Sequence, residues 1–546
     1  MQPADQSRPV LYRNGSVYSP ADPFATAMLV DGDTVAWVGS EHAAANLTGP
    51  DVTTVDLDGA LITPGFVDAH VHTTETGIAL GSLDLTGCRS LGDLLEAVSG
   101  AGATGATTIL GYGWDESSWP EARVPTAAEL DWAGRGALVY LVRADLHSAA
   151  VSGSLAAALG LASVDGWSDG FVVRAAHEAA RRATRNLTPA QRGTYQRAAL
   201  LHAAGQGYVA VTEMAAPHIA PREDLEMLLS LDGPAHDLPL PEVIPYWGQP
   251  ASSREQVTEL MRGFGGRLAG LAGDLNVDGS IGSRTAALRQ PYTDDAVSSG
   301  TLFLTEDDVT AHLVATTAQT VQSGFHVIGD AGLDVVLRGL ERTARELGVE
   351  EVRRARHRLE HVELADDASI AALAHYGVSV SGQPVFDALW GGPGGLYEQR
   401  LGERRAGMNR FASLLSAGVP VALGSDSPVT PLDPWASVRA CLQHSTPDEN
   451  ISARAAFLAH SRAGWRSAGR NPMLGQLAPG TPASFAVWQV DELMVQTPDN
   501  RVQSWSTDPR AGTPLLPALD TENAPRCLQT VHEGRRLYTD EGFGEG

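Results

Sequence analysis

The segment TPGFVDAHVH sets His70 and His72 one residue apart at the end of an apolar run. In a β-strand, residues i and i+2 share a face, so both imidazoles can meet one metal ion. An isolated H-x-H is a weak signal, but the preceding Pro64-Gly65-Phe66-Val67-Asp68 makes this one far more specific. Three further residues close apolar runs in the same manner: His326 in GFHVIGD, His361 in HRLEHVE and Asp426 in VALGSD. Together they form a nitrogen–oxygen donor set. Such a set suits a divalent metal, Zn²⁺ above all.

What the chain lacks narrows its chemistry. It contains no lysine, so all 39 of its basic residues are arginine. A Walker A loop needs its lysine, which excludes a P-loop NTPase. A Schiff-base lysine is equally excluded, and with it ordinary pyridoxal-phosphate enzymes and lysine-dependent aldolases. The Ser-x-x-Lys site of β-lactamases goes the same way. The net charge of −26 argues against nucleic acid or an anionic membrane as a partner. No apolar run reaches the roughly 18 residues a bilayer requires. Cys88, Cys441 and Cys527 are too widely spaced for a disulfide framework or a C-x-x-C zinc site. The opening MQPADQSRPV has no apolar leader core, so the cytoplasm is the expected location.

The elements that must position these residues follow from the apolar patterning. Residues 1–60 read as short strands around the turns Asn14-Gly15, Asp31-Gly32 and Asp58-Gly59. The end of the chain, from 466 to 546, has the same texture in GQLAPGTPASFAVWQV and CLQTVHEGRRLYT. Two β-rich ends around a long middle predict a β-sandwich assembled from both termini. Between them, strand-like runs such as YVAVTEM, GFHVIGD and VPVALGSD alternate with helical stretches such as EDDVTAHLVATTAQTVQS. This alternation over residues 61–465 predicts an α/β barrel or a doubly wound sheet. The metal-ligand candidates stand just after apolar strands, where barrel enzymes place their chemistry. Residues from about 80 to 200 exceed a simple loop and read as an α/β insertion.

The chain resembles the amidohydrolase superfamily, specifically the amidohydrolase-3 branch that includes N-substituted formamide deformylases. The likeness covers nearly the whole chain. It rests on TPGFVDAHVH, GYGWDESSW, LVRADLHSAAV, VDGSIGSRTAAL, HVIGDAG, RLEHVE, SGQP, LGERRA, ALGSDSPVTPLDPW and GQLAPGTPASFAVW. The resemblance implies a metal-dependent (β/α)₈ TIM-like barrel with the two-ended β-sandwich. It places His70 and His72 after strand 1, His326 after strand 5, His361 after strand 6 and Asp426 after strand 8.

One departure from the family matters. Many relatives bridge two metals with a carboxylated strand-4 lysine in a segment shaped K-x-x-x-D-G. Here the matching stretch is Asp274-Leu275-Asn276-Val277-Asp278-Gly279, so that bridge is impossible. Two arrangements remain: one ion, which is the expectation, or two ions bridged by a carboxylate such as Asp274 or Glu213. A single ion would be held by His70, His72, His326 and Asp426 or a subset of these, with His361 a further ligand or a hydrogen-bond partner of the bound water.

Zn²⁺ lowers the pKa of bound water toward ~7, so the expected reaction is hydrolysis of a C–N bond, in an amide, formamide or related group, by metal-activated hydroxide. Asp426 is the candidate proton shuttle, taking the water's proton and passing it to the leaving nitrogen. His147 and Arg284 are candidate donors to the developing oxyanion, in segments that the family places near its substrate pocket. Trp114, Asp115, Gln383 and Trp390 are candidate pocket residues, and Arg404 reads as structural. The expected partner is a small-molecule substrate, with a homodimer as the expected assembly.

Other readings carry less. Gly166-Trp167-Ser168-Asp169-Gly170 matches the G-x-S-x-G nucleophile elbow of a serine hydrolase, but the upstream sequence reads as helix and loop where a buried strand is required. The D-L-N-V-D-G stretch also matches the start of a calcium loop, yet its twelfth position is Thr285 where a bidentate Glu is needed. A deaminase or isomerase of the same superfamily, or a binding protein on the same fold, are the remaining alternatives.

Overall fold

A computed structural model of the chain describes residues 8–144, 148–231, 239–494, 513–520 and 523–544. The chain divides into two compact units. The larger comprises the residues up to His72, Leu200–Asp426 and Thr430 onward; the smaller comprises Thr73–Ala199 with Ser427–Val429.

Eight parallel strands form the centre of the larger unit: β1 (Phe66–Val71), β2 (Tyr208–Ala215), β3 (Glu242–Trp247), β4 (Gly270–Leu271), β5 (Gln322–Val327), β6 (Arg358–His361), β7 (Ser379–Gly382) and β8 (Val421–Leu423). They lie side by side in chain order, with β1 and β8 at the two ends of the ladder. Helices such as Arg222–Ser230, Arg254–Gly263, Glu306–Thr317, Asp330–Leu347 and Asp367–Tyr376 separate successive strands. The arrangement is that of a nearly closed TIM barrel.

Both faces of these strands are covered, which is why they read as apolar runs with little alternation; all eight residues of β2, YVAVTEMA, are buried. Val71, Val211, Phe325, Val327, Leu359, Val380 and Leu423 from the strands share one core with Leu225, Leu228, Val309, Leu313, Leu333 and Val336 from the helices.

The seam between β1 and β8 is joined by specific bonds. The Asp426 N–H donates to the His70 carbonyl at 2.8 Å, and the Ser425 N–H donates to the Asp68 carboxylate at 3.0 Å. Gly424 is required there, because a Cβ would stand 2.6 Å from the His70 nitrogen and 2.8 Å from the Asp68 carboxylate. The same bonds hold His70 and Asp426 next to each other.

Two further sheets are built from the chain ends. One has the order Thr34–Gly39, Ala27–Asp31, Val10–Arg13, Thr53–Asp56. The other joins Ser16–Val17 and Leu61–Pro64 from the start of the chain to Phe485–Gln489, Arg526–His532 and Arg535–Thr539 from its end. Tyr12, Met28 and Val35 of the first sheet share a core with Ile62, Phe485, Val487 and Val531 of the second.

The smaller unit is an α/β layer of its own. Its six-stranded sheet has the order Trp167–Ser168, Phe171–Val173, Ser148–Val151, Leu138–Arg143, Thr108–Trp114, Leu83–Asp84. The strand Leu138–Arg143 shows why both faces are covered. Val139 and Leu141 enter one apolar cluster with Leu94, Val98 and Leu130, while Tyr140 and Val142 enter another with Leu155 and Ala176. Among the described residues no helix is long and apolar enough to cross a membrane.

Candidate metal centre

His70, His72, Asp274, His326, His361 and Asp426 converge at the C-terminal ends of the barrel strands, and all six are buried. His70 Nε2 lies 3.3 Å from Asp426 Oδ1 and 3.5 Å from Asp274 Oδ1. His72 Nε2 lies 3.3 Å from Asp426 Oδ1 and 3.4 Å from Asp274 Oδ2. His326 Nδ1 is 3.8 Å from Asp274 Oδ1. Three overlapping groups have all their ligand atoms within 4.8 Å of one another: His70, His72 and Asp274; His70, His361 and Asp426; Asp274, His326 and His361.

These residues fit a divalent metal. His70 Nε2, Asp274 Oδ1, His326 Nδ1 and Asp426 Oδ1 are buried and make no hydrogen bond, although burying such atoms unpaired is costly. Two ligands held at 2.0–2.1 Å by a tetrahedral ion stand about 3.3–3.4 Å apart, and the closer separations here match that spacing.

The outer hydrogen bonds turn each ligand atom inward. His70 Nδ1–H donates to Glu360 Oε2 at 3.0 Å, leaving Nε2 for the centre. Glu360 is in turn gripped by Arg358, whose Nε and Nη2 donate to its two oxygens at 2.7 and 3.1 Å. His361 Nδ1–H donates to Gln383 Oε1 at 2.8 Å, while Gln383 Nε2 faces the Ser381 carbonyl at 3.4 Å. His326 Nε2 faces the Gly279 carbonyl at 3.4 Å, which leaves its Nδ1 inward.

The electrostatics favour a cation. Burial presses His70 and His72 toward neutrality, but the carboxylates of Asp426 and Asp274 outweigh it and hold both above the ordinary imidazole value, with Glu360 adding to the effect at His70. Burial opposes charge on Asp426 and Asp274 as well, and the surrounding imidazoles keep both well below the usual carboxylate range. His361 is the exception. Burial, together with the neighbouring His326, pushes it down to about 3, and a neutral imidazole is the form a metal needs.

Of the five expected strand-end ligands, the structure brings all together. It adds Asp274, the residue at the lysine position, as a member of the cluster. Glu213 is buried on β2 but is not among the side chains whose ligand atoms converge. Gln383 stands behind His361 as its hydrogen-bond partner. Trp390 is half-buried against Phe386 and Tyr397, with ring centroids 4.8 and 6.0 Å away.

Other expectations are corrected. Trp114 is a core residue of the smaller unit: it is fully buried, and its indole N–H donates to the Leu141 carbonyl at 2.9 Å. Asp115 pairs with Arg143 at 2.6 Å and caps the short turn that follows it. Arg284 is engaged by Asp294 at 2.7 Å, and Asp294 also takes Arg400, so these ions tie one loop to a later helix. Arg404 donates to the carbonyls of Gln290 and Pro291, which is the structural role expected of it. His147 lies outside the described residues.

Both false leads fail structurally. Ser168 is exposed and pairs with Phe171 across a hairpin, so it crowns no strand-to-helix turn. The calcium-like segment splits. Asp274 enters the metal cluster, whereas Asp278 accepts backbone N–H bonds from Ala287, Ile328 and Gly329 at 2.8–2.9 Å.

Sequence reasoning missed Glu360, Arg358 and Asp68. The signal for Arg358 and Glu360 is an Arg and a Glu at alternate positions in a buried strand ending in a ligand, RLEH. Glu360→Gln is expected to weaken metal affinity about 10–100-fold, the usual cost of losing such a partner, measured by competition with a chromogenic chelator. Unchanged affinity would remove the orienting role.

The amidohydrolase family model matches residues 53–538. The chain belongs to that family and is a metal-dependent hydrolase acting on carbon–nitrogen bonds. It is 24% identical to the protein LONG AFTER FAR-RED 3 of Arabidopsis thaliana, over 89% of this chain and 88% of that one. It is 24% identical to the N-substituted formamide deformylase of Arthrobacter pascens, over 87% and 92%. Among solved structures, an uncharacterized metal-dependent hydrolase from Pyrococcus furiosus superposes with a TM-score of 0.69 at 26% identity, covering 88% of this chain and 98% of that one.

Proposed function

We propose that the chain hydrolyses the C–N bond of an N-formyl or N-acyl amine, with Asp426 moving the proton. The observation that carries this reading is the cluster of buried, partnerless ligand atoms of His70, Asp274, His326 and Asp426 at the barrel mouth. The likeness to a formamide deformylase supports the substrate class. We read the two terminal sheets, with their shared core, as the family's β-sandwich.

Four of His70, His72, Asp274, His326, His361 and Asp426 would hold the ion. A single divalent ion balances the two carboxylates, which favours one ion over two. Zinc, the metal expected from the donor set, supplies Lewis acidity and a nucleophile at neutral pH.

The remaining work falls to the protein. Asp426 stands ionised and accepts a proton from the attacking water at a carboxylate oxygen. As the C–N bond breaks, it returns that proton to the nitrogen, so water and amide become acid and free amine. Glu360 and Gln383 hold His70 and His361 in the tautomers that keep their inner nitrogens free of protons.

The test is amine release from a panel of N-formyl and N-acyl amines by zinc-loaded protein. Turnover of at least one member is the expected outcome. Metal-loaded protein that turns over none would overturn the substrate assignment.

A further inference from the structure

The strand ladder stops at β1 on one side and at β8 on the other, and these two strands are not paired in it. Yet they bring together His70 and Asp426, whose ligand atoms lie 3.3 Å apart. That separation depends on whatever bonds cross the seam. β1 is bulged at this point. Val211 of β2 pairs with Asp68 and Glu213 pairs with Val71, so β1 advances three residues where β2 advances two. A bulge disrupts the ladder locally and re-aims a side chain, and His70 lies within this one. The His70 N–H is taken by Asp68 Oδ1 at 3.0 Å, and its carbonyl by the Asp426 N–H at 2.8 Å.

The same carboxylate reaches the other side of the seam. The Ser425 N–H donates to Asp68 Oδ1 at 3.0 Å and faces Oδ2 at 3.2 Å. Ser425 directly precedes Asp426, where the chain turns through the left-handed region at φ 55°. Asp68 is 0% exposed, and a carboxylate is tolerated there only with its donors in place. Those donors are the backbone of one ligand and of the immediate neighbour of another. Asp68 itself is not among the side chains whose ligand atoms converge.

We propose that Asp68 is a positioning residue for the hydrolysis. Its carboxylate pins the bulge of β1 to the residue before Asp426, and so sets where His70 and the proton carrier stand relative to each other. A backbone ladder bond would tie the two strands at fixed intervals; a side chain ties them at the one place where the ligands must meet. The role rests on the hydrolase reading above and deepens it.

The test compares wild type with Asp68→Ala and Asp68→Asn. Zn²⁺ affinity is measured by chelator competition, and the visible absorption of the Co²⁺-loaded protein reports ligand geometry at the ion. Amide hydrolysis is followed at saturating Zn²⁺. Asp68→Ala is expected to lose about 10–100-fold in affinity and to shift the Co²⁺ bands. Its kcat should fall about tenfold or more while KM stays within about threefold, because misplaced groups slow the chemical step. Asp68→Asn keeps one acceptor oxygen and should rescue most of this, losing about three- to tenfold in kcat, the worth of one hydrogen bond. Should Asp68→Ala fail to fold, Asp68→Asn carries the test: that intermediate loss supports the role, and wild-type behaviour overturns it. A variant with a lower Tm but wild-type affinity, Co²⁺ bands and kcat overturns it, since Asp68 would then serve stability alone. Asp68→Asn as damaging as Asp68→Ala overturns it too, because the charge and not the bonds would be what matters. If wild type hydrolyses no amide, the hydrolase reading fails, and affinity and Co²⁺ bands decide the positioning role separately.

Discussion

Asp426→Asn is expected to lower kcat by about 10³-fold or more, with the protein still folded and the ion still bound at saturating Zn²⁺. The amide keeps an oxygen where Oδ1 faces His70 and His72 at 3.3 Å, so ligation survives in weakened form. What it loses is the negative charge and the ability to take a proton. The backbone is indifferent to the exchange, because the Asp426 N–H bond to the His70 carbonyl does not involve the side chain. The measurement is single-turnover amide hydrolysis with metal content determined on the same sample. A variant with full metal and wild-type kcat would exclude Asp426 as the proton carrier. A variant that regains activity only with excess Zn²⁺ would make it a ligand and nothing more.

Asp274→Ala is expected to have the largest effect on metal binding, a loss of affinity greater than the roughly 10–100-fold typical of an outer hydrogen-bond partner. Its two oxygens face His70, His72 and His326, so removing them strips the centre of a ligand and of a counter-charge together. Asp274→Asn, which keeps an oxygen and gives up the charge, should fall between alanine and wild type. Affinities from chelator competition order the three; if Asp274→Ala binds Zn²⁺ as wild type does, Asp274 is not a ligand.

The legible part of the site and the illegible part differ for physical reasons. His70 and His72 could be read because a strand's period of two puts them on one face. His326, His361 and Asp426 could be read because a polar residue ending a fully buried run is unusual. Asp274 could be singled out only through the family segment it occupies, since an aspartate in a loop carries no signal of its own. Glu360 and Arg358 escaped because they neutralise each other inside a strand, leaving an alternation that looks like an ordinary half-exposed edge. An aromatic beside an acid, such as Trp114, reads alike in a core and in a pocket wall; only the Leu141 carbonyl at its indole distinguishes them. Arg284 is bonded to Asp294, and a pairing ten residues along a loop cannot be read from spacing because it depends on the loop's path. The barrel's strands could be placed from apolar runs and intervening helical periods. The sheet order of the smaller unit could not, since antiparallel pairing there follows from turn geometry.

The most direct test of a metal-dependent hydrolase is elemental analysis of protein purified without chelators or a metal-binding tag, with amide hydrolysis followed before and after metal removal. About one Zn²⁺ per chain is the predicted content, with activity lost on chelation and restored by the ion. No bound metal after incubation with Zn²⁺, Mn²⁺ or Fe²⁺, or full activity in the metal-free protein, would contradict it.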